Sequence, residues 1–152
     1  MKRLVCGILA LCLLLGCLPA LADAHPTNWY EVFVYSFSDS DGDGIGDFKG
    51  LLGKLDYIQD MGYTGIWLMP IMPSPSYHKY DVTDYLDVDP VYGTLDDFRA
   101  VVAGCHERGI KLIIDLVVNH SSTRHPWFLE AVEALKKGRP DHPKVAYYNF
   151  TQ

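Results

Sequence analysis

Three largely apolar segments, separated by helical patterns, constrain the fold of this chain more than any other feature. The segments are "WYEVFVYSF", "YTGIWLMP" and "IKLIIDLVVNH", and they are rich in β-branched and aromatic residues. Runs of this kind indicate strands that are buried on both faces, which belong to parallel sheets covered by helices. The sequence therefore predicts an α/β fold with the order strand, helix, strand, helix, strand.

The two segments between these strands have the spacing of amphipathic helices. In "FKGLLGKLDYIQDMG" the residues on one helical face are Leu51, Leu55, Ile58 and Met61, and Gly62 is a stop signal. In "LDDFRAVVAGCHERG" the predicted cap is Thr94, and the predicted buried stripe is Leu95, Phe98, Val101, Val102 and Cys105. The proline-rich stretch 71–91 has no steady period and is predicted to be a long loop.

The length of the chain limits how complete this fold is. A (β/α)8 barrel takes about 250 residues, whereas the chain has 152. After His120 the pattern changes to one short amphipathic helix, followed by proline, lysine and aromatic residues without a partner strand. We therefore expect the chain to be the front of a larger protein.

The first residues have the three parts of a secretory signal: the basic pair Lys2 and Arg3, an apolar run, and small residues before Asp23. The apolar run is too short for a membrane span. Two cleavage sites fit this pattern. A signal peptide of residues 1–22 predicts a freely secreted protein, and a lipoprotein signal of residues 1–16 predicts a lipid anchor on Cys17. Both predict an extracytoplasmic location.

Charge and cysteine content exclude two classes of protein. The formal net charge of −6 offers no basic surface for nucleic acid. Three of the four cysteines lie in the leader, which leaves Cys105 and no internal disulfide framework. We interpret Cys105 as a small apolar core residue on a helix.

The stretch "SFSDSDGDGIGD" places four aspartates close together among glycines. It resembles the opening of an EF-hand loop, but the twelfth position, which takes a bidentate glutamate in an EF-hand, is Gly50. The residues alone leave two alternatives, a calcium site of another kind and a solvated acidic turn.

Function in parallel α/β sheets gathers at the C-terminal ends of the strands. Each of the three strands is followed there by a polar segment, and the third strand contains Asp115 between Ile114 and Leu116. A carboxylate in an apolar strand needs a partner, because an unpaired buried charge is costly. Asp115 is therefore either a functional group or a charge that satisfies loop amides.

Three motifs together resemble the α-amylase family, glycoside hydrolase family 13. They are "DGDGIGDFKGLLGKLDYIQDMGYTGIWLMP", "YDVTDYLDVDPVYGTLDDF" and "GIKLIIDLVVNH", and the resemblance covers about Trp29 to Phe150. It implies that residues 23–120 are the first three βα units of a TIM (β/α)8 barrel and that residues 121–152 begin the domain inserted after strand three. The stretch "PIMPSPSYHKYDVTDY", which leads into the second motif, looks most like that of bacterial extracytoplasmic α-amylases, although trehalose synthases and oligo-α-1,6-glucosidases share much of it.

The resemblance also implies a ligand set for Ca²⁺ on the acidic loop. Matched position by position, the ligands are Asp39, Asp41, Asp43, the carbonyl of Ile45, and Asp47. Asn119 matches a calcium ligand of many α-amylases, but members that have the acidic loop often lack that second site.

Four further positions match residues that contact or organise substrate in the family. Tyr80 matches the tyrosine that stacks on the sugar, Asp81 a neighbouring polar contact, and His120 a histidine that hydrogen-bonds the same sugar. Asp115 matches the aspartate that orients active-site groups. Lys79 departs from the family pattern, since many relatives have glycine there.

The nucleophile and the acid/base of the family follow later strands, so the resemblance places both beyond this chain. We therefore expect the 152 residues alone to be inactive and the whole protein to be a monomeric, retaining α-amylase acting on α-1,4-glucans. The alternatives are a trehalose synthase, an oligo-α-1,6-glucosidase-like enzyme, and a barrel protein without catalytic carboxylates. A separate calcium module is disfavoured because Gly50 replaces the closing glutamate.

Overall fold

The structure, a computed structural model, describes residues 28–151. Three parallel strands form one sheet in the order β1 (Trp29–Val32), β2 (Gly65–Leu68) and β3 (Lys111–Ile114). The register aligns Val32 with Leu68 and Leu68 with Ile114. The three strands therefore end level at one edge of the sheet, and the predicted α/β fold is confirmed.

Helices connect the strands and follow the last one. They are α1 (Val34–Phe37), α2 (Phe48–Leu52), α3 (Leu55–Asp60), α4 (Leu95–Glu107) and α5 (Pro126–Lys136), with 3-10 turns at Pro90–Tyr92 and Val145–Tyr147. The predicted cap of α4 is confirmed as a reciprocal pair: the Thr94 hydroxyl accepts from the Asp97 amide, and the Asp97 carboxylate accepts from the Thr94 amide.

The first strand is shorter than its apolar sequence predicts. It ends at Val32, and Val34–Phe37 forms the short helix α1 instead of continuing to Phe37. The reason is a contact with the acidic loop, because the Gly46 amide donates to the Tyr35 carbonyl at 2.7 Å. Tertiary contact thus overrides the strand propensity of these aromatic and β-branched residues.

The predicted helix over 48–61 is divided into α2 and α3 at Gly53 and Lys54. Leu51, Leu55 and Ile58 are buried as expected, but Met61 is 51% exposed, so its assignment to the buried face was wrong. Met61 is the C-cap residue, after the last residue of α3. Gly62 follows with φ of 84°, which agrees with its predicted role as a stop.

The two faces of the sheet differ in cover. On the face against the helices, Val32, Ile66 and Leu68 are at most 1% exposed. On the opposite face, Trp29 and Trp67 are each 38% exposed and Ile113 is 47% exposed. Within residues 28–151, the prediction of strands buried on both faces therefore holds for one face only. In a closed barrel, the inner face is packed by side chains from the other strands.

Cys105 lies on α4 and is fully buried in the core, which confirms its interpretation as a core residue. Burial raises the pKa of its thiol to about 11. Within the described residues, no helix has the length and apolar character needed to cross a membrane. The predicted signal peptide and the anchor on Cys17 lie outside the described residues and stay predictions.

Candidate functional site

The C-terminal ends of the three strands carry the polar segments that the sequence singled out. Residues 33–47 follow β1, residues 69–94 contain the long loop after β2, and residues 115–125 follow β3. Because the strands end level, these segments meet at one edge of the sheet. That edge is the candidate site.

Tyr80 and Asp115 are joined directly at this edge. The Tyr80 hydroxyl donates to Asp115 Oδ2 at 2.6 Å, a bond between residues 35 positions apart in the chain. This bond, together with partial burial, raises the pKa of Tyr80 to about 12, so the phenol stays protonated even at a pH at which an ordinary tyrosine ionises. Asp115 follows the last residue of β3 and is half-buried, so the prediction of a carboxylate enclosed in an apolar strand was wrong. Its partner is the hydroxyl of Tyr80 on the loop after β2.

His120 is exposed on the segment after β3, and its ring Nδ1 lies 3.5 Å from the Asn119 side-chain amide. The segment is braced by Tyr85, whose hydroxyl oxygen is 2.7 Å from the Val117 carbonyl oxygen and 2.9 Å from that of His120. Sequence reasoning did not identify Tyr85. Its position inside the motif "YDVTDY" was the available signal.

Asp81 does not join the pair of Tyr80 and Asp115. It lines a neighbouring polar cleft of about 360 Å³, together with Ser76, Ser121 and Arg124. An adjoining cavity of about 340 Å³ is lined by His120 and by the aromatic residues Tyr85, Trp127, Tyr147 and Tyr148. The four predicted sugar-contacting positions therefore lie at one edge of the sheet, but only Tyr80 and Asp115 are in contact.

On the acidic loop, Asp39, Asp41 and Asp43 each place one carboxylate oxygen within 4.8 Å of the others. The backbone holds them there, because Asp39 accepts from the amides of Gly42 and Gly44 at 2.7 and 2.8 Å. These bonds hold the pKa of Asp39 below its usual value. The stability they contribute is therefore present above the ordinary aspartate pKa and is lost as the pH falls through the lowered value.

Asp47 and Ile45 have structural contacts of their own. The Asp47 carboxylate caps α2 by accepting from the Gly50 amide at 2.7 Å, and it also accepts from the Ser40 amide at 2.8 Å. Burial opposes its ionisation, but these amide bonds outweigh burial and lower the pKa of Asp47. The Ile45 amide donates to Asp43 at 2.7 Å. These contacts hold Ile45 and Asp47 in place next to the segment that carries the three carboxylates.

Three converging carboxylates on a glycine-rich turn fit Ca²⁺, which prefers hard oxygen ligands in flexible geometry. Gly42 and Gly44 have φ of 85° and 90°, values that let the turn fold back on itself. Asn119 lies on the separate segment after β3, so its assignment as a calcium ligand stays a prediction.

The loop before Tyr80 has an unusual backbone at Lys79. Its φ of 65° is positive, the only such value for a non-glycine residue among residues 28–151. The side chain is buried and its Nζ lies 2.7 Å from Asp89 Oδ2. Lys79 therefore takes the left-handed conformation that glycine adopts more easily.

Comparison with known proteins shows what these segments are similar to. The family model described as "Alpha amylase, catalytic domain" matches residues 31–152. Alpha-amylase 3 of Dictyoglomus thermophilum is 54% identical over 114 residues, covering 75% of this chain and 23% of that protein. A probable oligo-1,6-glucosidase 2 of Bacillus subtilis is 48% identical over 112 residues, covering 69% of this chain and 20% of that protein.

A solved structure shares the fold. Amy13B of Eubacterium rectale superimposes with a TM-score of 0.79 at 61% identity, covering 81% of this chain and 25% of that chain. This chain thus spans between 20% and 25% of the length of these three proteins.

Proposed function

This chain belongs to the α-amylase family of glycoside hydrolases, and we propose on that premise that the whole protein hydrolyses α-1,4 bonds of glucans such as starch. The observation that carries the proposal is the hydrogen bond between Tyr80, on the loop after β2, and Asp115, directly after β3. It joins two motifs that the resemblance assigns to substrate contact.

The contacts suggest how each residue acts on a sugar. The bond to Asp115 fixes the position of the hydroxyl end of the Tyr80 ring, whose face can then stack on a pyranose. Tyr85 braces the segment that carries His120, whose exposed ring is available to hydrogen-bond sugar hydroxyls. Asp81 in the neighbouring polar cleft offers a further acceptor.

Bond cleavage itself needs groups other than these. A retaining glycosidase uses two carboxyl groups roughly 5 Å apart, one as nucleophile and one as acid/base. The resemblance places both after later strands of the barrel. The described residues therefore form one wall of the proposed site and hold the substrate, and we predict that the 152-residue chain alone does not hydrolyse starch.

The proposal is tested by assaying the purified whole protein and the 152-residue chain in parallel. We expect the whole protein to release reducing sugar from soluble starch and the short chain to release none. Hydrolysis by the short chain would contradict the placement of the catalytic carboxylates. A whole protein that binds maltooligosaccharides without cleaving any would instead be the non-catalytic barrel.

Two related activities are separated by the choice of substrate. The similarity to an oligo-1,6-glucosidase motivates an assay with isomaltose and panose, whose α-1,6 bonds an α-1,4-specific enzyme leaves intact. Maltose is the substrate that reveals isomerisation to trehalose. Preference for isomaltose or panose over starch would replace the α-amylase assignment with an oligo-1,6-glucosidase. Conversion of maltose to trehalose would replace it with a trehalose synthase.

We also propose that the whole protein binds Ca²⁺ on the acidic loop. The ligands would be Asp39, Asp41 and Asp43, completed by the Ile45 carbonyl and Asp47. The three converging carboxylates support this, since a cation between them would cancel their repulsion. A bound ion would tie the segment after β1 to the N-terminus of α2, where Asp47 is the cap.

Calcium is expected to raise the unfolding temperature of the whole protein, because a ligand that binds only the folded state stabilises it. At a free calcium concentration of 100 times the dissociation constant, the gain in the free energy of unfolding is about 2.7 kcal/mol. Asp43→Asn should weaken the gain while keeping an acceptor for the Ile45 amide. Asp60→Asn removes the same charge from α3, outside the loop, and should leave the gain unchanged. Equal calcium responses in both variants and the parent would eliminate the site.

We further propose that the protein is exported, on the pattern of its first residues. The charged start, apolar run and small residues occur in the order that a signal peptide requires. Cys17→Ser distinguishes the two cleavage sites, because it should release the protein from membranes only if Cys17 carries the lipid.

A further inference from the structure

Lys79 holds a backbone conformation that its side chain disfavours. A positive φ brings the Cβ of a non-glycine residue close to its own backbone, so such residues persist only where the surroundings compensate. Lys79 has φ of 65°, and its side chain is buried, with 5% of the residue exposed. Water therefore does not solvate the ammonium group. Something in the fold must hold it there.

The compensating contact is a buried ion pair with Asp89. Lys79 Nζ donates to Asp89 Oδ2 at 2.7 Å, and both side chains are almost fully enclosed. The ammonium also lies 5.4 Å from the centre of the Tyr92 ring. Removing either partner alone would leave an uncompensated buried charge, which is strongly unfavourable.

Asp89 connects the two ends of the long loop after β2. The same carboxylate accepts from the Ser74 amide at 3.1 Å and from the Val91 amide at 3.1 Å. The Asp89 amide in turn donates to the Ile71 carbonyl at 2.7 Å. Lys79 is therefore anchored to a point that is itself fixed to the start and the end of the loop.

The residue that follows this anchor is Tyr80. Its amide donates to His78 Nδ1 at 3.2 Å, so the turn 78–80 is closed on both sides of Lys79. Since φ at Lys79 sets the direction in which the chain leaves the turn, it also sets the direction of the Tyr80 side chain. That side chain must reach Asp115 Oδ2, which it does at 2.6 Å.

We propose that Lys79 is a positioning residue for the proposed glucan hydrolysis: its buried ion pair with Asp89 fixes the left-handed turn that aims Tyr80 at Asp115. This inference rests on the proposed function. It assigns a specific role to the residue whose positive φ is a conformation that glycine adopts more easily. In this chain the ion pair replaces the conformational freedom of glycine.

The test uses Lys79→Met in the whole protein, with Lys54→Met as a matched control at an exposed site between α2 and α3. Lys79→Met keeps most of the side-chain volume and removes the charge. We expect its kcat to fall about tenfold or more with a smaller change in KM, because small misplacements of a positioned group lower turnover. Lys54→Met should keep the parent kcat, and Lys79→Arg, which keeps the charge, should retain most of it.

A double-mutant cycle separates positioning from a merely structural role. In a Tyr80→Ala background there is no ring to aim, so Lys79→Met should cause little further loss of kcat. The same fold-loss in both backgrounds, or a lowered melting temperature with unchanged kcat, would overturn the proposal. If Lys79→Met does not fold, the cycle is run with Lys79→Met/Asp89→Asn, which leaves no buried charge.

A crystal structure of the variant distinguishes failure of this inference from failure of the proposed function. We expect the distance from Tyr80 Oη to Asp115 Oδ2 to exceed hydrogen-bonding range in the variant. An unchanged distance overturns the positioning role whatever the enzyme acts on. A parent protein that is inactive on α-1,4-glucan, with the distance changed in the variant, refutes only the substrate assignment.

Discussion

Gly46→Ala is expected to destabilise the whole protein by about 3 kcal/mol. A Cβ at this position would lie 1.9 Å from the Val34 carbonyl oxygen and 3.0 Å from the Phe37 amide nitrogen, and both of these are backbone atoms. No side-chain rotation relieves such a clash. The Gly46 amide is also bound to the Tyr35 carbonyl, so relief requires that the acidic loop move away from α1.

The measurement is urea unfolding at fixed calcium concentration, with Gly53→Ala as the matched control. Gly53 has ordinary helical φ and ψ of −66° and −11°, and a Cβ there meets nothing closer than 3.5 Å. Gly53→Ala should therefore be neutral or slightly stabilising, since alanine restricts the unfolded chain more than glycine does. Similar midpoints for the two variants would show that the approach of Gly46 to α1 is not a constraint.

His120→Ala should lower the turnover of the whole protein on soluble starch by about 10- to 100-fold, which corresponds to about 1.4 to 2.7 kcal/mol of transition-state stabilisation. The effect rests on the proposed sugar contact. A hydrogen bond that tightens as the sugar flattens towards its oxocarbenium-like transition state acts on the barrier itself. The Michaelis constant should therefore rise less than turnover falls.

The matched control for this prediction is His106→Ala, which removes an exposed imidazole from the last turn of α4, away from the site. Its kcat should equal that of the parent. Melting temperatures of both variants show whether the fold is intact. An unchanged kcat for His120→Ala, in a folded and otherwise active protein, would remove His120 from the proposed site.

Local chemistry explains which elements were predictable. The cap of α4 depends on two side chains three residues apart, so Thr94 was recognisable from sequence. The three strands were recognisable because long apolar runs next to helical patterns have few alternatives. The end of β1 was not, because the turn at Val34 depends on the hydrogen bond that Gly46, in the acidic loop, donates to the Tyr35 carbonyl.

The same distinction applies to the site. The apolar neighbours of Asp115 in the sequence predicted that it has a partner, but the identity of that partner as Tyr80 depends on how the loop after β2 folds. That loop is organised by Lys79 and Asp89, which are ten positions apart without a periodic relation. Tyr85 was missed for a similar reason, since its partners are backbone carbonyls about thirty residues away. Spacing rules describe neighbours in a helix or strand, not contacts of this range.

The burial of Cys105 makes this residue a built-in reporter of fluctuations in the core. It is the one cysteine between residues 28 and 151, and the raised pKa of its thiol keeps the reactive thiolate scarce at neutral pH. An alkylating reagent reaches the sulfur only when the core around Cys105 opens. The rate at which Cys105 is alkylated therefore reports that opening without any engineered label. Added calcium or glucan, for which we propose sites at one edge of the sheet, can be tested for an effect on this rate.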